Sequence, residues 1–236
     1  MKTRIIGWIL AASVLALVLP ASPAQQENVP GQKSFPAIRD SFQFTPGAWA
    51  EYNIFDKAKN ENYRMWIATL AKETIQGKPY SWLEIEVEMK DSPVVVTSIL
   101  AEETADGPGR IEKAVVQVKG MSAFNVPKKY LQGQDQEVSQ FKPAHVVKKL
   151  SGKKITRGDK TIDVLAVEAE NEKGEKMTAM VSVQLPPIAI CDAETADLKM
   201  TAINWGAGAK TKIEGPALPF FLWVIEQAFN AVSVKK

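Results

Sequence analysis

The sequence predicts an α+β protein that is mainly antiparallel β, with a curved meander sheet or half-open barrel covered by a C-terminal helix. Segments between Trp49 and Trp205 alternate apolar and polar residues with the period of a strand. Gly, Pro, Asn and Asp recur between these segments about every ten residues. Helical patterns do not separate the segments, which favours an antiparallel meander over a parallel sheet.

The N-terminus has the three parts of a secretory signal peptide. Residues 1–4 carry two positive charges, and residues 5–19 (IIGWILAASVLALVL) carry none. Pro20 follows, and Ala-Ser-Pro-Ala at 21–24 places small residues before a cleavage site. The apolar run is shorter than the ~20 residues of a spanning helix, and no cysteine directly follows it. We therefore predict a signal peptide at 1–24 and a periplasmic or secreted protein.

The rest of the chain is predicted to be a flexible segment at 25–46 and a single β-rich domain at 47–236. The flexible segment is polar and contains several prolines. Within the domain, 83–90 alternates strictly, 162–170 pairs with 177–185, and 126–147 is irregular with a short helix. The remaining strand candidates are 48–55, 63–70, 94–102, 111–119 and 198–205.

A C-terminal helix is predicted over 219–232. Its apolar residues recur at the spacing of one helix face, and Pro219 suits the first helical turn. The residues of this apolar stripe are Phe221, Val224, Ile225, Ala228 and Val232. Because 63–70 and 94–96 are apolar on both faces, either a second layer covers the sheet or the sheet curls around an apolar interior. The helix is the expected cover.

Three short segments suggest a relationship to a known family. They are PGAWAEY at 46–52, YSWLE at 80–84 and NWGAGAK at 204–210. Together with the predicted architecture, they resemble the periplasmic lipoprotein-sorting carriers over about residues 46–215. In that family a half-open β-barrel holds acyl chains in an apolar hollow covered by helices. The resemblance implies a non-enzymatic protein whose ligand is a lipid or a lipoprotein acyl chain.

Aromatic and long apolar side chains supply the candidate ligand site. We predict an apolar pocket between the sheet and the helix, because such pockets are lined mainly by these residue types. The same side chains could instead fill the core of a structural or interaction domain of the cell envelope, which would engage partners through its strand edges. The candidate pocket residues are Trp66, Trp82, Met180, Phe221, Trp223 and Ile225.

A basic cluster is the second candidate site. Residues 142–160 contain seven Lys or Arg and a single acidic residue, Asp159. Such a cluster could face an anionic membrane surface or an acidic partner, although a solvated loop and hairpin would have the same composition. The candidate residues of this patch are Lys148, Lys149, Lys153, Lys154 and Arg157.

Several function classes are disfavoured. His145 is the only histidine and lies among lysines, and no G-x-S-x-G motif is present, so we expect no enzyme and no catalytic residue. His145 and Cys191 are too few for a zinc site of His and Cys. The GAGAKT segment at 206–211 lacks the glycine that precedes the lysine of a phosphate loop. Without Lys2 and Arg4 the 29 basic residues fall to 27, equal to the acidic ones, which disfavours nucleic acid. We expect no cofactor, metal, nucleotide or nucleic acid.

Three smaller expectations concern individual positions. Glu84, Glu86 and Glu88 should form a solvated strand face. Cys191 should be a small buried apolar residue. The small residues from position 206 should let a neighbouring backbone or Trp223 approach closely.

Overall fold

The structure is a computed structural model that describes residues 38–39, 41–131, 144–171 and 174–233. The predicted signal peptide and residues 25–37 and 40 of the predicted 25–46 segment lie outside the described residues. The described strands and helices are β1 (Trp49–Asp56), β2 (Glu61–Ile75), β3 (Lys78–Met89), β4 (Val95–Thr104), β5 (Gly107–Val118), β6 (Phe124–Asn125), α1 (Lys128–Leu131), β7 (His145–Arg157), β8 (Lys160–Glu170), β9 (Lys176–Val181), β10 (Ile190–Glu194), β11 (Leu198–Gly206), β12 (Leu218–Pro219) and α2 (Phe220–Ser233).

The described strands form one open, curved sheet in the order β12-β6-β5-β4-β3-β2-β1-β11-β10-β9-β8-β7. Two meanders, β1–β5 and β7–β11, meet where β1 pairs with β11. All described neighbours are antiparallel except β6 and β12. The predicted fold class, mainly antiparallel β with a C-terminal helix, is confirmed.

Tight turns set the register of the hairpins. Gln76 and Gly77, which join β2 to β3, both have positive φ, as a two-residue type I′ turn requires. Arg157 pairs with Lys160 across another two-residue loop between β7 and β8.

The apolar core lies in two clusters along the sheet. The first cluster is built from β1, β2 and β8–β11, and the second from β3–β6, α1 and α2. Tyr52 illustrates how pairing builds the first: its cross-strand partners are Met65 on β2 and Ala202 on β11, and all three side chains are buried. Phe42 packs against both clusters. The segment before β1 therefore contributes to the packing between the two halves of the sheet.

The prediction of a strand over 177–185 is wrong at its C-terminal end. β9 stops at Val181, and residues 182–189 form a turn closed by the bond from Ser182 N–H to the carbonyl of Ala189. Val183 is 81% exposed, whereas Leu185 is buried in the first cluster. Proline cannot donate to a strand ladder, so Pro186 and Pro187 do not continue β9. β7 and β10 were not among the predicted strands.

Candidate functional site

The α2 helix is anchored to the end of the sheet by aromatic side chains. The Leu218 N–H donates to the carbonyl of Ala123 at 2.8 Å, which brings the start of the helix to β6. The ring centroids of Phe124 and Trp223 are 4.5 Å apart, and those of Phe124 and Phe220 are 5.5 Å apart. Trp223 is only 8% exposed and belongs to the second cluster. Aromatic pairs at these distances add to the apolar burial.

Two residues of the apolar stripe of α2, Phe221 and Val224, do not face the sheet as predicted. Phe221 is 71% exposed, Leu222 and Val224 are also exposed, and Ile225 is half-buried. The reason is that Trp223, which lies between Phe221 and Val224, is the residue that enters the core. Bulky aromatic side chains dominate burial energies, so the position of Trp223 sets the rotation of the helix.

The structure does not bring the six predicted pocket residues together. Phe221 and Ile225 share one face of α2, whereas Trp223 points to another side and enters the core. Trp66 and Trp82 lie on β2 and β3, on the same sheet face as Glu84, and the Trp82 Nε1–H donates to Glu73 Oε1 at 2.7 Å. Met180, on β9, is half-buried against the first cluster.

A chain segment crosses the Glu84 face of the sheet. This crossing segment, residues 207–217, runs from β11, in the interior of the sheet, to β12 at one end of it. The Ala209 N–H donates to the Gly47 carbonyl at 2.9 Å. Further along, the Glu214 N–H donates to Gln117 Oε1 at 2.8 Å, and the Gln117 Nε2–H donates to the Glu214 carbonyl. Gln117, on β5, therefore holds the far part of the segment.

Glu84 holds the middle of the crossing segment. The Thr211 hydroxyl donates to Glu84 Oε2 at 2.7 Å, and the Lys212 N–H donates to Glu84 Oε1 at 2.6 Å. The side chain is completely buried, so the prediction of a solvated carboxylate face is wrong at this position. Burial raises the pKa of Glu84, and the bonds from Lys212, Thr211 and Ser98 oppose that rise.

Lys212 also closes the segment onto the same face. Its Nζ lies 2.6 Å from Glu86 Oε1 and 4.3 Å from the centre of the Trp66 ring. Trp66 is thus covered by a lysine through a cation–π contact.

Gly206 directly precedes the crossing segment and lies against the Trp49 indole. A Cβ added to Gly206 would be only 3.1 Å from the indole Nε1. The close approach at position 206 is made by Trp49 and not by Trp223. The expected approach of a neighbouring backbone occurs at Gly208, because a Cβ added to Gly47 would lie 3.2 Å from the Gly208 nitrogen.

The predicted basic patch lies on β7, at the edge of the sheet. Ten consecutive side chains, 145–154, are exposed. The Lys148 Nζ lies 3.9 Å from Glu168 Oε1. No ion pair with a described residue is made by the other three lysines, Lys149, Lys153 and Lys154. Arg157 differs from the others, because it donates two hydrogen bonds to the Asp192 carboxylate at 2.9 and 3.0 Å and is half-buried. Arg157 therefore forms an ion pair within the fold. The exposed basic patch consists of the four lysines only.

The two remaining candidates for a reactive side chain, His145 and Cys191, lie on different strands. His145 is exposed at the start of β7. Cys191 is completely buried in the first cluster, as expected. Burial, with the Asp192 charge as the next cause, raises the pKa of the Cys191 thiol to about 12. Within the described ranges, no group of three or more His, Cys, Asp or Glu is arranged to hold a metal ion.

Sequence reasoning missed the Glu84 site. Its partners Thr211 and Lys212 are more than a hundred residues away, so no local pattern connects them. In the structure Glu84 lies opposite Ala68 and Ser98, two small residues that leave room for the covering chain.

Comparison with known proteins gives little overlap in sequence. No protein-family model matches the chain, and no curated protein matches it significantly. Among solved structures, the chain is similar to a candidate lipoprotein of Parabacteroides distasonis, with a TM-score of 0.39 and 12% identity over 72% of this chain and 99% of that chain. None of the helices in the described ranges is long and apolar enough to cross a membrane.

Proposed function

We propose that this protein is an exported, non-enzymatic binding protein that holds a lipid or acyl-like apolar ligand against the α2 helix. The observation that carries the proposal is the outward direction of two residues in the apolar stripe of α2. Phe221 and Val224 are exposed while Trp223 anchors the helix. The ligand site differs from the pocket expected from sequence, because it lies on the outer side of the helix.

The composition of α2 supports an apolar ligand. Its fourteen residues, FFLWVIEQAFNAVS, contain a single charge, Glu226, whose carboxylate accepts a hydrogen bond from the Ser122 hydroxyl at 2.9 Å. A helix that is apolar on most sides is ordinarily covered on most sides. Contiguous exposed apolar surface on a soluble domain marks a binding surface. An acyl chain would cover Phe221 and Val224 through apolar burial alone.

The proposal is tested by the uptake of a dansyl-labelled fatty acid. We expect the double variant Phe221→Gln/Val224→Gln to bind this probe about thirtyfold more weakly, because two exposed apolar side chains each contribute on the order of 1 kcal/mol of burial. Val183→Gln is the matched control, since Val183 is 81% exposed and lies outside the helix. Equal binding by the wild type and the double variant, or no uptake by either, would contradict the proposal.

The ligand itself can be identified by native mass spectrometry of the protein purified from its own host. A bound lipid of defined mass, lost in the Phe221→Gln/Val224→Gln variant, is the expected result. An apo mass in every preparation would favour the second candidate.

That second candidate is a structural or interaction domain without a small-molecule ligand. The packing of the described core favours it, because β1–β5 and β8–β11 bury apolar side chains against one another in two clusters. In this case, the α2 stripe would contact a protein surface. Probe uptake separates the two candidates.

A further inference from the structure

The β7 strand is the last strand at one end of the described sheet. It is thirteen residues long and contains five basic and no acidic residues. Long edge strands present unpaired backbone groups to which another chain can add. Most long edges are shortened, bulged or covered, and β7 has irregular pairing only before Gly152. From Gly152 to Arg157 its register with β8 is continuous.

The backbone groups of Lys154 and Thr156 point away from β8. The residues next to a two-residue hairpin loop form a hydrogen-bonded pair, and pairs then alternate along the ladder. Arg157 and Lys160 are that first pair, so Lys154 and Thr156 occupy non-hydrogen-bonded positions.

Two contacts support this assignment. The hydroxyls of Thr156 and its partner Thr161 are 2.9 Å apart, as expected for the closer side chains of a non-hydrogen-bonded pair. The N–H of Asp163, the partner of Lys154, donates to Gln184 Oε1 at 2.9 Å instead of to β7. The outward N–H and C=O groups of Lys154 and Thr156 are thus available to another strand.

Charge determines what kind of strand could pair there. Consecutive residues of a strand point to opposite faces, so Lys153 and Lys154 place one ammonium on each side of the backbone edge. Neither makes an ion pair with the described part of the chain, and both are exposed. A second copy of β7 would place lysines next to lysines, which is unfavourable across a strand pair. A flat anionic surface would contact only one of the two faces.

We propose that β7 is a docking edge that takes an extended, acidic segment of another protein as an additional antiparallel or parallel strand. Backbone hydrogen bonds to Lys154 and Thr156 would supply the pairing. Glutamate or aspartate side chains on both faces of the added strand would lie beside Lys153 and Lys154 and select acidic partners. The site is separate from the α2 stripe, so this proposal and the proposed function can fail independently.

The exposed apolar residues of β7 fit the same role. Val147 is 52% exposed and Leu150 is 47% exposed. Both lie in the earlier part of the strand among the lysines. An added strand that extends past Gly152 would cover them, whereas a purely electrostatic contact would leave them in water.

The test uses a fluorescent acidic peptide of about ten residues, the upper length of ordinary strands. The peptide combines Val and Thr with pairs of consecutive Glu, and a peptide with Lys in place of Glu serves as its control. Fluorescence anisotropy at low salt should show binding of the acidic peptide only. Lys153→Glu/Lys154→Glu should weaken it at least about tenfold, since each charge reversal replaces an attraction with a repulsion. Lys90→Glu/Lys119→Glu is the control with the same change in net charge, on exposed lysines outside β7.

Thr156→Pro tests the backbone pairing without any change in charge. Proline removes the N–H of Thr156, which points away from β8, so the β7–β8 hairpin should be retained. We expect the peptide to bind this variant at least about tenfold more weakly than the wild type, because the missing donor and the proline ring block strand addition. Unchanged circular dichroism and melting temperature verify that each variant is folded.

Three results would overturn the docking edge. The first is a wild type that does not bind the acidic peptide. The second is binding that survives both Lys153→Glu/Lys154→Glu and Thr156→Pro. The third is binding to phosphatidylglycerol vesicles that depends on the lysines but not on Thr156, without binding of the peptide, which would make β7 a membrane surface.

Discussion

Glu84 is a buried carboxylate whose hydrogen-bond donors come from the crossing segment. A buried charge is tolerated only when it is hydrogen-bonded, and here the Lys212 N–H and the Thr211 hydroxyl donate to its two oxygens. The segment depends on Glu84 in turn, because its buried donors would otherwise lose their acceptor. A single side chain thus couples the sheet face to the path of the chain toward α2.

Because the pKa of Glu84 is raised, its contribution to the free energy of unfolding changes with pH in a known direction. Between the ordinary glutamate pKa, about 4.3, and the raised pKa, the folded state binds more protons than the unfolded state. The contribution of Glu84 to the free energy of unfolding therefore decreases as pH rises through this interval. We expect the stability difference between wild type and Glu84→Gln to shift in favour of the variant over the same interval.

Urea unfolding at a series of pH values measures this difference. Glu88→Gln is the control for the substitution itself, because Glu88 is exposed on the same strand. A Glu84→Gln difference that is constant with pH would show that Glu84 does not titrate in this way.

The buried thiol of Cys191 should be unreactive in the folded protein. Burial raises its pKa to about 12, and the thiolate is the reactive form. We expect an iodoacetamide reagent at neutral pH to modify Cys191 only after denaturation, as followed by mass spectrometry. Rapid stoichiometric modification of the folded protein would contradict the burial.

At the scale of elements, α2 is held by the buried Trp223 and not by the exposed Phe221 and Val224 of its apolar stripe. We expect Trp223→Ala to lower the free energy of unfolding by about 3–5 kcal/mol, the usual cost of deleting a buried aromatic side chain. Phe221→Ala on the same helix should change it by less than about 0.5 kcal/mol, because Phe221 is exposed. Chemical denaturation of both variants measures the two effects. The opposite order would mean that the stripe faces the core, as the sequence pattern predicted.

At the scale of the whole molecule, stability should be uneven across the sheet. β1 lies between β2 and β11 with half of its side chains buried, whereas β7 is exposed along most of its length. Regions with few buried apolar contacts open locally at low free energy. Hydrogen exchange followed by mass spectrometry should show early deuteration of β7 and late deuteration of β1. Equal protection of the two strands would indicate that β7 is covered.

Much of the strand pattern was readable from sequence because each strand repeats a local period. The alternation at 83–90 correctly predicted a strand with Leu83 and Val87 in the core. It failed for the opposite face at Glu84, because alternation shows which residues share a face and not what covers that face. The four exposed lysines of β7 were identified by composition, but Arg157 was not separable from them until its partner Asp192 was known.

The sequence by itself determined the antiparallel β architecture, the C-terminal helix and the burial of Cys191, because these follow from local periodicity and residue type. Only the tertiary structure decided which side of α2 faces the core, which carboxylate is buried and which strand lies at the edge. Those outcomes depend on contacts between residues far apart in the chain, such as Trp223 with Phe124 and Glu84 with Lys212. Local patterns carry no information about such partners, since any apolar or charged face can be covered by a distant segment.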